Sequence, residues 1–515
     1  MKELKYITTP IYYPNGDPHA GHAYTSVMAD ILKRWAVQQG GSVFLTTGVD
    51  EHGQKIQTAI RRSGLGPEEY LDRKSAEFRS LFDRLGVEYD FYVRTTAPKH
   101  VAAVQSALQR VYDAGLLELT EYEGLYCQEC EMFKTASELD ENGCCRDHGT
   151  APLFLKEKNY SFPLEPYREW LRRQIEDNPD WIQPEECRNE MLQLLRDPLP
   201  PLCISRPKSR SWNGIELPFD TDYTAYVWFD ALLNYVTSIG YPQVDETFLD
   251  RWTHSCHLIG KDIAKTHCIY WPVMLKALGL PLFGAIRVHP HWLGFDGTKM
   301  SKSKGNAVDP AVPLREIGGE AFRFYLAKNM GRNDSIMSIP LIRAGYEADL
   351  VNNIGNVFYR IVTLAKKYFG GALPEFPAPD PEDEEFLDRI AEPARQFLSG
   401  EPRLDRIRDR ALAVAEIASG LNGWISRTKP WTMKQPAQET RRTALLLTLL
   451  EGVRLLFETA YPILPGTSSR ALAVFGPLSG PPGQLRALRP GQALGEPFIA
   501  FGRKTWPQEE NEVKS

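Results

Sequence analysis

Twice near its start the sequence runs from a β-branched and aromatic segment, through a turn, into a helical pattern. That alternation limits the fold more than any other feature. Residues 5–13 (KYITTPIYY) read as a strand, Pro14-Asn15-Gly16 turns the chain, and 18–38 read as a helix. Residues 42–47 form a second apolar strand, 48–53 a second turn, and a helical pattern starts near Gln54. Strands alternating with helices pair in parallel and carry helices on both faces, so the expectation is an α/β fold built on a doubly wound parallel sheet. Ligands of such sheets lie at the carboxyl ends of the strands, where both units place their unusual polar residues. The pattern stops near Gly115, gives way to short Cys-, Pro- and aromatic-rich segments, and resumes at 226 with a strand at 257–259 and a helix over 265–278.

At 515 residues the chain is long enough for about three or four domains of roughly 150 residues each. The reading divides it into 1–115, the first half of the sheet domain; 116–225, a connective insertion; 226–290, its second half; 291–340, a loop and stem-contact region; 341–465, a helical bundle; and 466–515, an irregular tail. The net charge of −6, with 24% charged and 43% hydrophobic residues, excludes collagenous, disordered and supercharged classes. Any nucleic-acid contact must then come from local basic patches. The start has no apolar core of a signal peptide, and the most apolar run, 444–457, is interrupted by Glu451 and Arg454, short of the roughly 20 apolar residues of a membrane helix. A soluble protein with no membrane partner is expected. Four of eight cysteines crowd into one short segment, the distribution of a metal site rather than a disulfide framework, so a reducing, cytoplasmic setting is expected.

Two motifs carry chemistry. Asp17-Pro18 would supply an N-cap acceptor and a first-turn proline, placing His19 and His22 on one face of the opening turns, where the helix dipole attracts anions. Gly21 between them leaves room for a flat ring or a phosphate. Far along the chain, Lys299-Met300-Ser301-Lys302-Ser303, flanked by Gly297 and Gly305, forms a loop able to follow phosphate oxygens as charge moves. In isolation each has an ordinary reading, two helix-terminal histidines and a solvated loop. Together, His19-Ala20-Gly21-His22 and Lys299 to Ser303 resemble the HIGH and KMSKS elements of class I aminoacyl-tRNA synthetases, in the family's order and either side of an insertion in a Rossmann-like sheet.

Within that class the chain resembles the methionyl-tRNA synthetases of the bacterial, single-knuckle type. The run TTPIYYPNGDPHAGH carries the resemblance, with Gly48-Val49-Asp50-Glu51-His52-Gly53, the segment Tyr226 to Tyr235, Gly260-Lys261-Asp262 and His267. The resemblance implies ATP-dependent attachment of L-methionine to tRNA(Met) through a methionyl adenylate, with Mg²⁺ accompanying ATP. It implies that Ile11, Tyr13, Trp228, Tyr235 and His267 bind methionine and that Asp50 takes its α-ammonium. His19, His22, Lys299 and Lys302 would be catalytic, and these with Gly21, Met300, Ser301 and Ser303 would bind ATP. A soft thioether suits such an aromatic pocket, which selects by fit rather than by hydrogen bonds. Trp228 and Tyr235 read equally well as core residues by themselves.

Cys127-x-x-Cys130 and Cys145-x-x-His148 repeat the two-residue spacing of a tetrahedral, structural zinc knuckle, one Zn²⁺ per chain, with Cys144 as the rival to Cys145. Asn356, Arg360 and Trp431 resemble the family's anticodon-reading residues, a stacking and edge-binding set suited to single-stranded bases, here of a CAU anticodon. The segment after 465 shows no dimerisation domain, so a monomer is expected. Two other readings stand beside this one: a class I synthetase for cysteine or leucine, and a non-catalytic tRNA-binding paralogue that keeps the fold.

Overall fold

Six strands form one parallel sheet in a computed structural model that describes residues 4–127, 132–134, 136–146, 149–300, 305–478 and 481–506. In chain order they are β1 (Tyr6–Tyr12), β2 (Phe44–Val49), β3 (Phe91–Arg94), β4 (Ile182–Gln183), β5 (Ser255–Gly260) and β6 (Ala285–His289). They lie in the order β3-β2-β1-β5-β6-β4, all neighbours parallel. Strands β1, β2, β5 and β6 are almost wholly buried, as a sheet covered on both faces requires. The order reverses between β1 and β5, which makes their carboxyl ends the switch point where such sheets bind ligands. Close pairing of β2 with β3 depends on Gly48, because a Cβ there would lie 2.2 Å from the Val93 carbonyl oxygen.

Helix α1 (Ala20–Gln38) follows β1, α2 (Pro98–Asp113) follows β3, and α3 (Val227–Thr237) returns the chain toward β5. Residues Glu118–Cys127, Met132–Lys134, Leu153–Phe162 and Leu202–Cys203 form a separate four-stranded antiparallel sheet, the inserted arm. Ile182–Gln183, inside the segment read as insertion, instead extends the main sheet beside β6. Two residues are too few to show an alternation, which is why the sequence pattern missed this strand. The helix expected over 265–278 is a π-helical stretch, Thr266–Tyr270, followed by an α-helix, Trp271–Ala277. Pro272 has no N–H to give to the carbonyl four residues back, and the turn widens there.

The chain divides into two compact units: 1–33, 41–83 and 87–291 in the first; 34–40, 84–86 and 292–515 in the second. In the second, α4 (Asn356–Phe369), α5 (Pro381–Leu398), α6 (Ile407–Thr428) and α7 (Glu439–Ala460) are the long helices anticipated from apolar spacing. The charges that interrupt the apolar run of α7 are buried and pair with one another: Arg454 binds Glu451 at 2.7 Å and also Glu458. A further helix, α8 (Pro465–Ala473), occupies the start of the segment expected to be irregular. Its first turn is closed by the Glu320 carboxylate, which accepts the Thr467 N–H at 2.9 Å as well as the Gly466 N–H, a cap that comes from more than a hundred residues away and leaves no local signature. Two short N-terminal pieces complete this unit. Fully buried Arg410 stacks 4.8 Å from the Trp35 ring centroid and donates to the Thr459 carbonyl at 2.8 Å and to Gln38 Oε1 at 2.7 Å. Arg323, also fully buried, donates to the carbonyls of Ile463 (3.0 Å), Pro462 (2.9 Å) and Leu85 (3.3 Å).

Candidate active site

The opening of α1 differs from the expected cap. Asp17 binds Lys74 at 2.7 Å, and the helix begins at Ala20, so His19 occupies the cap position. Its Nδ1 accepts the Gly21 N–H at 3.1 Å, while His22 Nδ1 accepts the His19 N–H at 3.2 Å. The two rings stack with centroids 3.6 Å apart. A ring nitrogen that accepts an amide N–H carries no proton, so each neutral imidazole is held as its Nε2–H tautomer. Gly21 makes this cap possible, because a Cβ there would press to 3.0 Å on the His19 ring. His19 is exposed, and half-buried His22 is braced by Tyr12 at 4.6 Å and Phe78 at 5.0 Å.

Across the switch point, Tyr235 Oη lies 2.7 Å from His267 Nε2, and His267 Nδ1 lies 2.9 Å from the Ile263 carbonyl oxygen. A carbonyl only accepts, so Nδ1 carries the proton and the tyrosine hydroxyl donates to Nε2. Burial holds the His267 pKa down to about 4, so the ring stays neutral. The Trp228 indole meets the same ring edge-on, centroids 6.3 Å apart, and its buried Nε1–H has no acceptor among the described residues. Tyr235 is also fully buried among His257 and Trp271, so its ring packs the core while its hydroxyl fixes His267.

Asp50 lies just past β2, 2% exposed, with its N–H given to the Tyr12 carbonyl at 2.9 Å and its Oδ1 taking the His52 N–H at 3.3 Å. The neighbouring Glu51 is consumed by structure: it accepts from Arg94 at 2.8 Å and from Thr96. Ile11 and Tyr13, at the carboxyl end of β1, are half-buried, with Lys55 5.5 Å above the Tyr13 ring. Sequence reasoning missed His52, His100 and Asp230, which meet beside Asp50 although far apart in the chain.

In the second unit, Lys299 and Met300 are described, whereas Ser301, Lys302 and Ser303 lie outside the described residues. The base of this loop is tied by Asn306, whose Nδ2 donates to Asp296 Oδ1 at 3.0 Å and Thr298 Oγ1 at 2.9 Å. In the arm, Cys127 and Cys145 are buried at 1% and 0% exposure, and Cys144 is half-exposed. Gly149 N–H closes a tight turn onto the Cys145 carbonyl at 2.7 Å, while the Cys144 N–H is spent on Asp140 Oδ1 at 2.8 Å. Cys130 and His148 lie outside the described residues.

Tyr359, Arg360, Thr363 and Leu364 on α4, with Trp431, line a cavity of about 370 Å³, and the Arg360 guanidinium sits 5.8 Å from the Trp431 ring centroid. Asn356 is drawn instead toward α6, donating to Asn422 Oδ1 at 3.0 Å. Its side chain therefore does not form the simple exposed i, i+4 pair with Arg360 that spacing alone would suggest.

Comparison with known proteins follows the same lines. The model of the family "tRNA synthetases class I (M)" matches residues 5–146 and 134–362. A methionine–tRNA ligase of Clostridium tetani is 39% identical over 473 residues, covering 91% of this chain and 73% of that protein. One of Deinococcus radiodurans is 40% identical over 471 residues, covering 89% and 68%. The structure of Mycobacterium tuberculosis methionyl-tRNA synthetase in complex with methionyl-adenylate superposes with a TM-score of 0.90 at 30% identity, over 97% of this chain and 99% of that one.

Proposed function

We propose specific roles for the residues just described, from the premise that this chain belongs to the methionine–tRNA ligases, class I aminoacyl-tRNA synthetases. It attaches L-methionine to tRNA in an ATP-dependent reaction through methionyl adenylate. In the first step a methionine carboxylate oxygen attacks the α-phosphorus of ATP; an O–P bond forms, the bond to the bridging oxygen breaks, and pyrophosphate leaves with the electron pair. In the second, a ribose hydroxyl of the terminal tRNA adenosine attacks the methionyl carbonyl and AMP departs. No protein nucleophile is needed, so catalysis is positioning and charge stabilisation.

The reciprocal cap of His19 and His22 carries this assignment. With both Nδ1 atoms engaged by backbone N–H groups, the proton of each ring sits on Nε2, where it is a preorganised donor to phosphate oxygens that gain charge. Lys299 and Lys302 supply positive charge to the same phosphates, with Gly21, Met300, Ser301 and Ser303 as the backbone that lets ATP approach. Mg²⁺ on ATP would neutralise the departing pyrophosphate. Asp50 holds the α-ammonium and so aims the carboxylate, while Ile11, Tyr13, Trp228, Tyr235 and His267 enclose the thioether. Methionine-dependent pyrophosphate exchange, run against the other amino acids, tests the reading: exchange with cysteine or leucine and none with methionine would refute it, as would no exchange at all.

For the arm, the buried thiols of Cys127 and Cys145 and the tight turn after Cys145 fit a zinc knuckle, which Cys130 and His148 would complete; the metal would hold the arm's shape. Purified protein is expected to carry about one zinc per chain, lost in Cys145→Ser and retained in Cys144→Ser. Zinc lost only from Cys144→Ser would reverse the ligand choice. The cavity beside Trp431 is assigned to the anticodon CAU, with Trp431 as the stacking platform and Arg360 and Asn356 reading base edges. The chain acts as a monomer in the cytoplasm, and no described helix is long and apolar enough to cross a membrane.

A further inference from the structure

Between β2 and α3 lies a buried chain of polar groups that the reaction scheme leaves unused. Asp230, in the first turn of α3, divides its carboxylate between two imidazoles: His52 Nδ1 at 2.5 Å from Oδ2 and His100 Nε2 at 2.7 Å from Oδ1. His100, in the first turn of α2, reaches the far end of α3 as well, with Nδ1 2.9 Å from Thr237 Oγ1. His52 in turn gives its peptide N–H to Asp50. The side chains of Asp50, His52, His100 and Asp230 are buried, and the ligating atoms of Asp50, His52 and Asp230 lie within 4.8 Å of one another.

We propose that His100, Asp230 and His52 form a relay that positions Asp50 for the α-ammonium of the amino acid, an inference that rests on the ammonium role given to Asp50 above. Asp50 sits in the turn after β2, and its carboxylate accepts the peptide N–H of His52, a residue whose own ring is held in turn. Asp230 immobilises that ring, and His100 immobilises Asp230 by spanning α3 from end to end. Burial alone would raise the Asp230 pKa, but the adjoining His52 and the hydrogen bonds from both imidazoles outweigh it and hold it to about 2.

Two carboxylates and an imidazole at this spacing could be read as the donor set of a divalent cation. Here Asp230 Oδ2 and His52 Nδ1 already face each other, and a metal held between them would have to replace that hydrogen bond. The cluster is complete as a hydrogen-bonded relay, which makes Asp230 and His100 positioning residues.

The test compares methionine with 4-(methylsulfanyl)butanoate, which has the same side chain and carboxylate but no amine. In pyrophosphate exchange, His100→Leu is expected to raise the methionine KM about tenfold, the scale of one weakened charge-assisted contact. The inhibition constant of the amine-free analogue and the KM for ATP should stay within about twofold. His100→Gln, whose amide N–H can reach Asp230, should recover most of the lost affinity. Equal weakening of methionine and analogue, an unchanged methionine KM, or no recovery in His100→Gln would each overturn the relay. Asp50→Asn reports on the reading beneath it: an unchanged ratio of methionine to analogue affinity there removes the ammonium role itself, whereas a changed ratio there with an unaffected His100→Leu overturns the relay alone.

Discussion

His22→Asn is expected to slow methionine-dependent pyrophosphate exchange by about two to three orders of magnitude, the usual loss when one preorganised donor to a developing charge is removed. The KM for methionine should stay within about twofold. Asparagine is chosen because its side-chain oxygen can still accept the His19 N–H, which His22 Nδ1 takes at 3.2 Å, while the Nε2–H is deleted. The variant thus removes the donor and spares the cap. The donor matters only as charge builds on the phosphate, so the loss belongs in kcat rather than in ground-state binding. A raised methionine KM with an unchanged kcat would show that His22 shapes the pocket, through Tyr12 and Phe78, and does not act on phosphate. A thermal melt of the variant separates either result from loss of fold.

Trp431→Ala is expected to cut kcat/KM for tRNA charging by about one to two orders of magnitude, the roughly 1–3 kcal/mol of one lost base-stacking platform. Pyrophosphate exchange without tRNA should be almost untouched, because Trp431 is none of the residues assigned to methionine or ATP and lines a cavity with Arg360 on α4. The geometry makes the platform credible: Lys429, with φ of 47°, ends α6 abruptly, and the turn Pro430–Thr432 sets the indole against Arg360 at the mouth of the cavity. A parallel fall in exchange would make Trp431 a structural anchor. No fall in charging would place anticodon reading elsewhere.

What could be read from the sequence was whatever depends on neighbours along the chain. The strand and helix at 6–38 and the long helices of the second unit announce themselves because apolar spacing is local. The preference for Cys145 over Cys144 is also local, a matter of spacing; Cys145 is buried and Cys144 half-exposed. Long-range partners were invisible. Asp17 looks like a cap in sequence, but Lys74, 57 positions away, takes its carboxylate, and the cap passes to His19. Asp230 reads as a polar residue in an aromatic helix, and the imidazoles that define it stand 178 and 130 positions distant. Thr363 and Leu364 carry no signal of a cavity, since one helical face looks the same whether it lines a core or an opening.

The helical unit borrows two pieces of the N-terminal sequence, and this decides how the protein can be divided. A gene fragment beginning at Trp292 would omit residues 34–40 and 84–86. Arg410 would lose the indole it stacks on and the Gln38 acceptor, and Arg323 the Leu85 carbonyl, leaving two buried cations short of partners. Burial already depresses the Arg410 pKa to about 9, and an uncompensated buried charge of this kind costs several kcal/mol. Fusion or domain exchange across that boundary would therefore yield a helical half that is itself unstable, and inheritance of the two halves is tied together by the packing of a few arginines.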